Sequence, residues 1–219
     1  MHRLDGTALA ERLRTELQRT TADLSYTPTL AVMIVGEDPA SHLYVRMKKE
    51  VGEELGFSIQ VFPFPAETGA DVLKAKIHSW NADASIDGIL VQVPLPNRLD
   101  ESEIIQTIDP VKDVDGFHPA NVEALFQGEL TVISPLHEGI LRLINEAPLK
   151  INGAQTTIIA NSEIFSKPLT KLLKTAGANV RMMFPDSLDK EWLKESKIVI
   201  IAIGRRGFLT PDLVQEDAV

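Results

Sequence analysis

Two runs of consecutive apolar residues constrain the fold of this chain more than any other feature. Residues 29–35 read Thr-Leu-Ala-Val-Met-Ile-Val and end at Gly36; residues 86–93 read Ile-Asp-Gly-Ile-Leu-Val-Gln-Val and end at Pro94. Strands that are apolar on both sides are typical of parallel sheets whose two faces are covered by helices. We therefore predict a buried strand at each run, within an α/β fold.

Stretches with helical periodicity separate these strands. Residues 40–55 repeat an apolar residue every four positions, at Leu43, Met47, Val51 and Leu55, which predicts a helix with that buried stripe. Further helices are predicted at 8–21, 69–80 and 101–107, and a further strand at 58–63. The resulting βαβαβ order predicts a parallel sheet with right-handed crossovers.

The same alternation restarts after Asn152-Gly153. Strands are predicted at 156–160, 178–184 and 197–203, and helices at 136–146, 167–176 and 188–195. We predict two α/β domains, a parallel-sheet domain at 1–135 and a Rossmann-like domain at 136–219. Residues 217–219 resemble the start of another strand, so the second domain is expected to be truncated.

The composition excludes several classes of protein. The formal charge of −9 over 219 residues argues against a nucleic-acid binder, and the lack of cysteine excludes disulfides and thiolate nucleophiles. No apolar run reaches the roughly 18 residues that span a bilayer, and the first residues lack the apolar core of a signal peptide. We expect a soluble cytoplasmic protein without a nucleic-acid or membrane partner.

The first chemical cluster is Tyr44 and Lys48, which are four residues apart on one predicted helix face. A partly desolvated lysine there would serve as an acid or base near neutral pH. Tyr44 would either stack on a flat ligand or hold the lysine ammonium by a hydrogen bond. The alternative is an ordinary solvated helix face, on which Lys49 pairs with Glu53. The spacing alone favours the alternative.

Two further clusters follow buried segments. Gln92 lies at the carboxyl end of a predicted strand, where open α/β sheets bind ligands, although it also suits a plain turn. Asp109, Asp113 and Asp115 are close in sequence, but their spacing does not match an EF-hand, and no metal is predicted. Asp115 would suit a heterocycle with adjacent N–H donors, and the alternative is an Asp-Gly turn.

The turn at 160–168 follows a strand and opens a helix, where a dinucleotide-binding unit holds phosphate. It reads Ala-Asn-Ser-Glu-Ile-Phe-Ser-Lys-Pro and contains no glycine. Taken alone, this turn is weak evidence for nucleotide binding.

Four ordered segments resemble the bifunctional methylenetetrahydrofolate dehydrogenase/cyclohydrolase family. They are Val-Gly-Glu-Asp-Pro-Ala-Ser at 35–41, Tyr-Val-Arg-Met-Lys at 44–48, Asp-Gly-Ile-Leu-Val-Gln-Val-Pro-Leu-Pro at 87–96, and Lys-Asp-Val-Asp-Gly-Phe-His-Pro at 112–119 with Asn121. The resemblance implies NAD(P)-dependent oxidation of 5,10-methylenetetrahydrofolate and hydrolysis of the methenyl product to 10-formyltetrahydrofolate. It also implies a homodimer with NADP as cofactor, and a folate bound in a cleft between two domains.

The resemblance also implies roles for individual residues. Lys48 would be the catalytic lysine, Tyr44 would stack near the folate, Gln92 would orient Lys48 and Asp115 would hold the pterin. Ser41, Pro94 and Leu95 would line the substrate site. The cofactor would contact Asn161, Ser162, Ser166 and Gly204.

The chain departs from the family in the second-domain turn, where the family usually reads Gly-Arg-Ser…Gly-x-Pro. Here Ala160 and Ser166 replace the glycines, and Asn161 replaces the arginine that would meet the 2′-phosphate of NADP. Lys167, Arg205 and Arg206 are candidates to compensate. The alternatives to a bifunctional enzyme are therefore a cyclohydrolase with weak or lost dehydrogenase activity, with NAD or no nicotinamide, and a non-catalytic folate-binding module.

Overall fold

The computed structural model describes residues 4–129 and 132–219, which divide into two compact units. The N-terminal unit comprises residues 7–124 and 132–134. The C-terminal unit comprises residues 4–6, 125–129 and 135–219. Because short segments from each side are grouped with the other unit, the border between residues 135 and 136 stays a prediction.

The first part of the chain alternates helices with strands. Its helices are α1 (Gly6–Ala22), α2 (Pro39–Glu54), α3 (Ala70–Asn81), α4 (Glu101–Ile105) and α5 (Pro119–Gln127), and its strands are β1 (Thr29–Val35), β2 (Ser58–Phe64) and β3 (Gly88–Val91). The second part contains α6 (Pro135–Asn145), α7 (Glu163–Thr175), α8 (Lys190–Glu195), β4 (Gln155–Ala160), β5 (Asn179–Met183), β6 (Ile198–Ala202) and a 3-10 turn, Pro211–Leu213.

Each unit contains a three-stranded parallel sheet with the same connectivity. The strand order is β2-β1-β3 in the N-terminal unit and β5-β4-β6 in the C-terminal unit. The first strand of each sheet is therefore central, and the apolar run of β1 is buried as its composition requires. This arrangement confirms the prediction of two α/β units with parallel sheets.

The buried stripe of α2 differs from the prediction. Val45 and Leu55 are buried, but Leu43 and Met47 are 45% and 50% exposed. The helix is rotated so that Val45 packs with the β1 and β2 side chains, and Met47 lies on the wall of a groove instead. Four-residue spacing alone does not fix which side of a helix meets the sheet.

Helix α7 begins four residues before the predicted start at 167. The Ser162 hydroxyl accepts a hydrogen bond from the Ile164 N–H at 3.1 Å, and the Ser166 N–H donates to the Ser162 carbonyl at 3.2 Å. The cap therefore starts the helix before Pro168, which lies inside it. Proline is normally read as a helix start, which explains the error.

The last described residue continues the second sheet. The Val199 N–H donates to the Val219 carbonyl at 2.8 Å, and the Val219 N–H donates to the Lys197 carbonyl at 2.9 Å. This alternation is the pattern of a parallel ladder at the free side of β6. The pairing involves Val219, whereas Glu216 and Asp217 lie in a turn. Among residues 4–129 and 132–219, no helix is long and apolar enough to cross a membrane.

Candidate active site

Helix α2 places Tyr44 and Lys48 one turn apart. The helix begins directly after β1 because the Asp38 carboxylate accepts the Ser41 N–H at 2.7 Å, with Pro39 in the first helical turn. The cap fixes the start of α2, and the helical repeat then puts both side chains on one face. Both are exposed, so they are available to a ligand.

The Lys48 ammonium group contacts the end of the neighbouring strand. Its Nζ donates to Oε1 of Gln92 at 3.0 Å, and Nε2 of Gln92 donates to the Val93 carbonyl at 2.7 Å. The Gln92 N–H itself pairs with the Met33 carbonyl at 2.8 Å, which extends the ladder past Val91. The amide is thus held at both ends, and its oxygen faces the lysine.

A buried carboxylate organises the loop that carries Asp115. Asp113 accepts hydrogen bonds from the Gly116 N–H at 3.1 Å, the His118 N–H at 2.8 Å and Nδ2 of Asn121 at 2.9 Å. Three donors on one buried acceptor restrain the backbone of this loop. Asp113 therefore positions the backbone on both sides of Asp115.

Asp115 lies in a partly buried environment close enough to Lys48 for their charges to interact. Burial raises the pKa of the Asp115 carboxyl, the Lys48 ammonium lowers it, and the Asp113 carboxylate raises it. The net direction is a pKa above the ordinary aspartate value. The structure thus brings three predicted residues, Lys48, Gln92 and Asp115, into one electrostatic neighbourhood.

A groove of about 610 Å³ runs along α2 and is lined by Tyr44 and Lys48. Its walls are mostly apolar side chains from α2, from the starts of β1 and β2, and from the segments after α2 and β3: Leu30, Met47, Val51, Leu55, Phe57, Ile59 and Val114. This volume lies within the usual range for ligand pockets. Gln92 and Asp115 do not line the groove, so Lys48 is the residue that connects it with the strand end.

Three predicted substrate residues occupy different settings. Ser41 is buried, and its hydroxyl has no hydrogen-bond partner among the described residues. Pro94 is exposed and follows a cis peptide bond, whereas Leu95 packs into the core and its N–H donates to the Glu101 carboxylate at 2.8 Å. Of these three residues, only Pro94 is exposed.

Sequence reasoning missed the structural roles of Asp113 and Asn121. The available signal was an asparagine, Asn121, eight residues after Asp113, since a side-chain amide suits a nearby carboxylate. The oxygens of the Asp113 carboxylate accept hydrogen bonds from N–H groups of the protein. In the part of the chain that the structure describes, no group of three His, Asp or Glu side chains is arranged to hold a metal.

The turn after β4 directs its side chains toward the protein backbone. Nδ2 of Asn161 donates to the Ile203 carbonyl at 3.3 Å, Ser162 caps α7, and the Ser166 hydroxyl donates to the Ser162 carbonyl at 3.0 Å. Ser166 is buried, so its hydroxyl does not project over the turn. Gly204 adopts a positive φ of 65° directly after β6.

This geometry fits a dinucleotide despite the missing glycines. The turn joins the carboxyl end of the central strand β4 to the start of α7, where N–H groups without helical partners meet phosphate. Because Ser166 bonds back to Ser162, its side chain does not fill the approach to those groups. Of the four predicted contact residues, Asn161, Ser162 and Gly204 follow the carboxyl ends of β4 and β6, and Ser166 lies in the first turn of α7.

Family models match both parts of the chain. The catalytic domain of tetrahydrofolate dehydrogenase/cyclohydrolase matches residues 4–115, and the NAD(P)-binding domain of the same family matches residues 135–219. The chain belongs to the tetrahydrofolate dehydrogenase/cyclohydrolase family. As a member, it is an oxidoreductase and hydrolase of one-carbon folate metabolism with a nicotinamide-binding domain.

Individual relatives support the same family. The bifunctional protein FolD of Lacticaseibacillus casei is 40% identical over 99% of this chain and 78% of its own length. The crystal structure of the bifunctional FolD enzyme from Campylobacter jejuni is 32% identical, has a TM-score of 0.93, and is matched over 99% of this chain and 78% of that one. A Trypanosoma brucei FolD complexed with NADP and an inhibitor is 24% identical with a TM-score of 0.92, over 98% of this chain and 76% of that one, and shows the shared fold.

Proposed function

We propose that Lys48 is the proton-transfer residue of a folate site in which 5,10-methylenetetrahydrofolate is oxidised and the methenyl product is hydrolysed to 10-formyltetrahydrofolate. The observation that carries this proposal is the hydrogen bond from Lys48 Nζ to a doubly held Gln92 amide at 3.0 Å. A solvated helix lysine would not need an oriented acceptor from another element. The bond therefore favours the catalytic interpretation over the plain surface face.

The hydrolysis requires proton transfers that a lysine amine can perform. The oxygen of water bonds to the cationic methenyl carbon, and one water proton leaves to solvent. The bond from this carbon to N5 then breaks, N5 keeps the electron pair and takes a proton from the Lys48 ammonium, and the resulting amine takes the remaining hydroxyl proton as the C=O bond of the formyl group forms. A positioned acid–base group of this kind contributes roughly 10²–10⁴ in rate.

The neighbouring residues have supporting roles in this proposal. Gln92 aims the Lys48 nitrogen, because its oxygen accepts from Nζ while its own N–H₂ group is held by Val93. Asp115 pairs with the ring N–H and amino donors of the pterin, and Tyr44 stacks beside the ring system on the exposed face of α2. Ser41, Pro94 and Leu95 complete the substrate-contacting set.

The hydride acceptor in this proposal is NADP, which when bound takes a hydride from the methylene carbon. In this proposal Asn161 and Ser162 contact it after β4, Gly204 contacts it after β6, and the backbone of Ser166 contacts it from the first turn of α7. The support is the position of these residues at the start of α7 and the membership of residues 135–219 in an NAD(P)-binding domain. Asn161 has a neutral amide at the position where an arginine guanidinium would favour the 2′-phosphate of NADP. NAD, which lacks this phosphate, is therefore the competing cofactor.

We also propose a homodimer and a cytoplasmic location, both on family resemblance. Size-exclusion chromatography with light scattering would test the first; cell fractionation would test the second. A monomer at micromolar concentration, or recovery with membranes or in the medium, would contradict these proposals.

One assay tests the activity and separates it from the alternatives. Methenyltetrahydrofolate hydrolysis and methylenetetrahydrofolate oxidation with NADP or NAD are followed spectroscopically on the same purified chain. We expect both reactions, with saturation by the dinucleotide. Hydrolysis without oxidation would instead assign a cyclohydrolase that has lost its dehydrogenase activity. Folate binding without either reaction would overturn the enzymatic proposal.

A further inference from the structure

Two adjacent arginines lie in a sharply turned loop directly after β6. The loop reads Gly204-Arg205-Arg206-Gly207, and both glycines have a positive φ, 65° and 72°. Such φ values favour glycine and bend the backbone tightly on each side of the pair. The loop thus presents two cationic side chains within a short segment at the carboxyl edge of the sheet.

The charges of these two arginines are not neutralised by carboxylates in the described part of the chain. Of the four arginines in residues 135–219, Arg142 pairs with Glu138 at 2.7 Å and Arg181 pairs with Asp189. Arg205 instead places its guanidinium 5.2 Å from the Phe208 ring centre. Stacking on a ring leaves the in-plane N–H donors of a guanidinium free for an anion.

The arginine loop lies where this topology creates a ligand crevice. From the central strand β4 the chain crosses to β5 on one side, and then to β6 on the other. The crevice of an open α/β sheet lies outside the carboxyl ends of the strands where the order reverses, here β4 and β6. The hydrogen bond from Asn161 to the Ile203 carbonyl joins these two strand ends directly.

The turn at the start of α7 has little free positive charge of its own. Lys167 forms an ion pair with Glu163 at 2.5 Å, one helical turn away. The Ser162 hydroxyl accepts a hydrogen bond from the Ile164 N–H and carries no charge. An anion at this turn would meet backbone N–H groups but no unpaired cation from the first turn of α7.

We propose that Arg205 and Arg206 bind the pyrophosphate of the dinucleotide, supplying the charge that the turn after β4 does not provide. This inference rests on the proposed dehydrogenase function. Guanidinium groups form paired hydrogen bonds with phosphate oxygens. Because NAD and NADP share the pyrophosphate, the arginines contribute to the affinity for both.

Direct binding tests this assignment without relying on turnover. Dissociation constants for NAD and NADP are measured by calorimetry for the wild type and for Arg205→Gln/Arg206→Gln. We expect the double variant to bind both dinucleotides at least about tenfold more weakly, since each charge-assisted hydrogen bond contributes on that scale. We also expect the wild-type affinity to fall more steeply with added salt than that of the variant.

A matched control removes the same charge from the opposite edge of the sheet. Lys150 precedes β4 and Lys174 lies in the last turn of α7, so both are near the amino ends of the strands. Lys150→Gln/Lys174→Gln should bind both dinucleotides like the wild type. Thermal melting checks the fold of each variant, and Arg205→Lys/Arg206→Lys, which keeps the charge, should recover part of the affinity.

The outcomes separate this inference from the proposed function. Equal binding by the wild type and the arginine variant would overturn the assignment. A loss confined to NADP would also overturn it, because it would place the arginines at the 2′-phosphate. A folded wild type that binds neither dinucleotide would overturn both the inference and the dehydrogenase proposal, and would leave the hydrolysis at Lys48 as a separate question.

Discussion

The two units share one sheet topology, but the side chains at the carboxyl edge of each sheet form different kinds of hydrogen bond. In the N-terminal unit, side chains from α2 and the end of β3 bind one another, with Lys48 donating to Gln92 at 3.0 Å. In the C-terminal unit, the side chains after β4 bind mainly to backbone carbonyls, as Asn161 and Ser166 do. A side-chain pair suits the orientation of a proton-transfer group, whereas a backbone turn beside a loop with unpaired arginines suits a phosphate.

This difference indicates why one scaffold can serve two steps. The parallel sheet determines only where a ligand site lies, because the loops that follow its strands meet at its carboxyl edge. The chemistry depends on whether those loops supply titratable side chains or exposed N–H groups. The following variants test this contrast.

The largest expected effect is the loss of hydrolysis in Lys48→Ala. Removing the amine removes the proposed proton transfer, so we expect the rate of methenyltetrahydrofolate hydrolysis to fall by roughly 10²–10⁴. Stopped-flow absorbance measures it. Lys49→Ala is the matched control, because Lys49 is the next residue and pairs with Glu53 at 3.7 Å. An equal loss in both variants would assign the effect to helix α2 as a whole.

The next largest effect is expected from Asp113→Ala. This change leaves three N–H donors in the Asp115 loop without their shared acceptor. We expect the free energy of unfolding to fall by about 2–4 kcal/mol, with weaker folate binding. Urea titration and folate-binding calorimetry measure the two effects. Unchanged stability would show that the buried carboxylate does not hold the loop.

A smaller effect is expected from Gln92→Met. The substitution keeps the length of the side chain but removes the oxygen that accepts from Lys48. We expect kcat for hydrolysis to fall about tenfold with little change in stability, because one orienting hydrogen bond is lost. Steady-state kinetics over a range of pH measures it. A change in KM alone would place Gln92 in substrate binding instead.

The smallest effect concerns the pH dependence of stability in the C-terminal unit. His137 is buried in α6, with its ring centre 5.2 Å from that of Phe165, and burial lowers its pKa. The unfolded chain, with an ordinary pKa of about 6.5, then binds a proton more readily than the folded chain. The free energy of unfolding is therefore highest, as far as His137 is concerned, above a pH of about 6.5, and it decreases as the pH falls below that value.

Urea unfolding between pH 5 and pH 8 measures this dependence. We expect a slope of at most about 1.4 kcal/mol per pH unit below pH 6.5, the limit for one proton. His137→Gln cannot take up that proton, so its stability should vary less with pH over the same range. Parallel curves for the two proteins would contradict a destabilising protonation of His137.

The sequence predicted the main fold, because its strands are continuous apolar runs. It did not predict the rotation of α2, where Met47 faces a groove, nor the early start of α7 at Glu163. The first depends on the packing of Val45 and the second on the Ser162 cap. A pattern of residue types does not determine such local contacts. The pairing of Lys48 with Gln92 followed from family resemblance, since 44 residues separate them in the chain.

The most direct test of the contrast between the two carboxyl edges measures two properties in two variants. Hydrolysis of methenyltetrahydrofolate and affinity for NADP are determined for Lys48→Ala and for Arg205→Gln/Arg206→Gln. We expect Lys48→Ala to lose hydrolysis but to bind NADP like the wild type. We expect the arginine variant to hydrolyse normally but to bind NADP at least about tenfold more weakly. Hydrolysis that persists without Lys48, or a folded variant that loses both properties, would contradict the account.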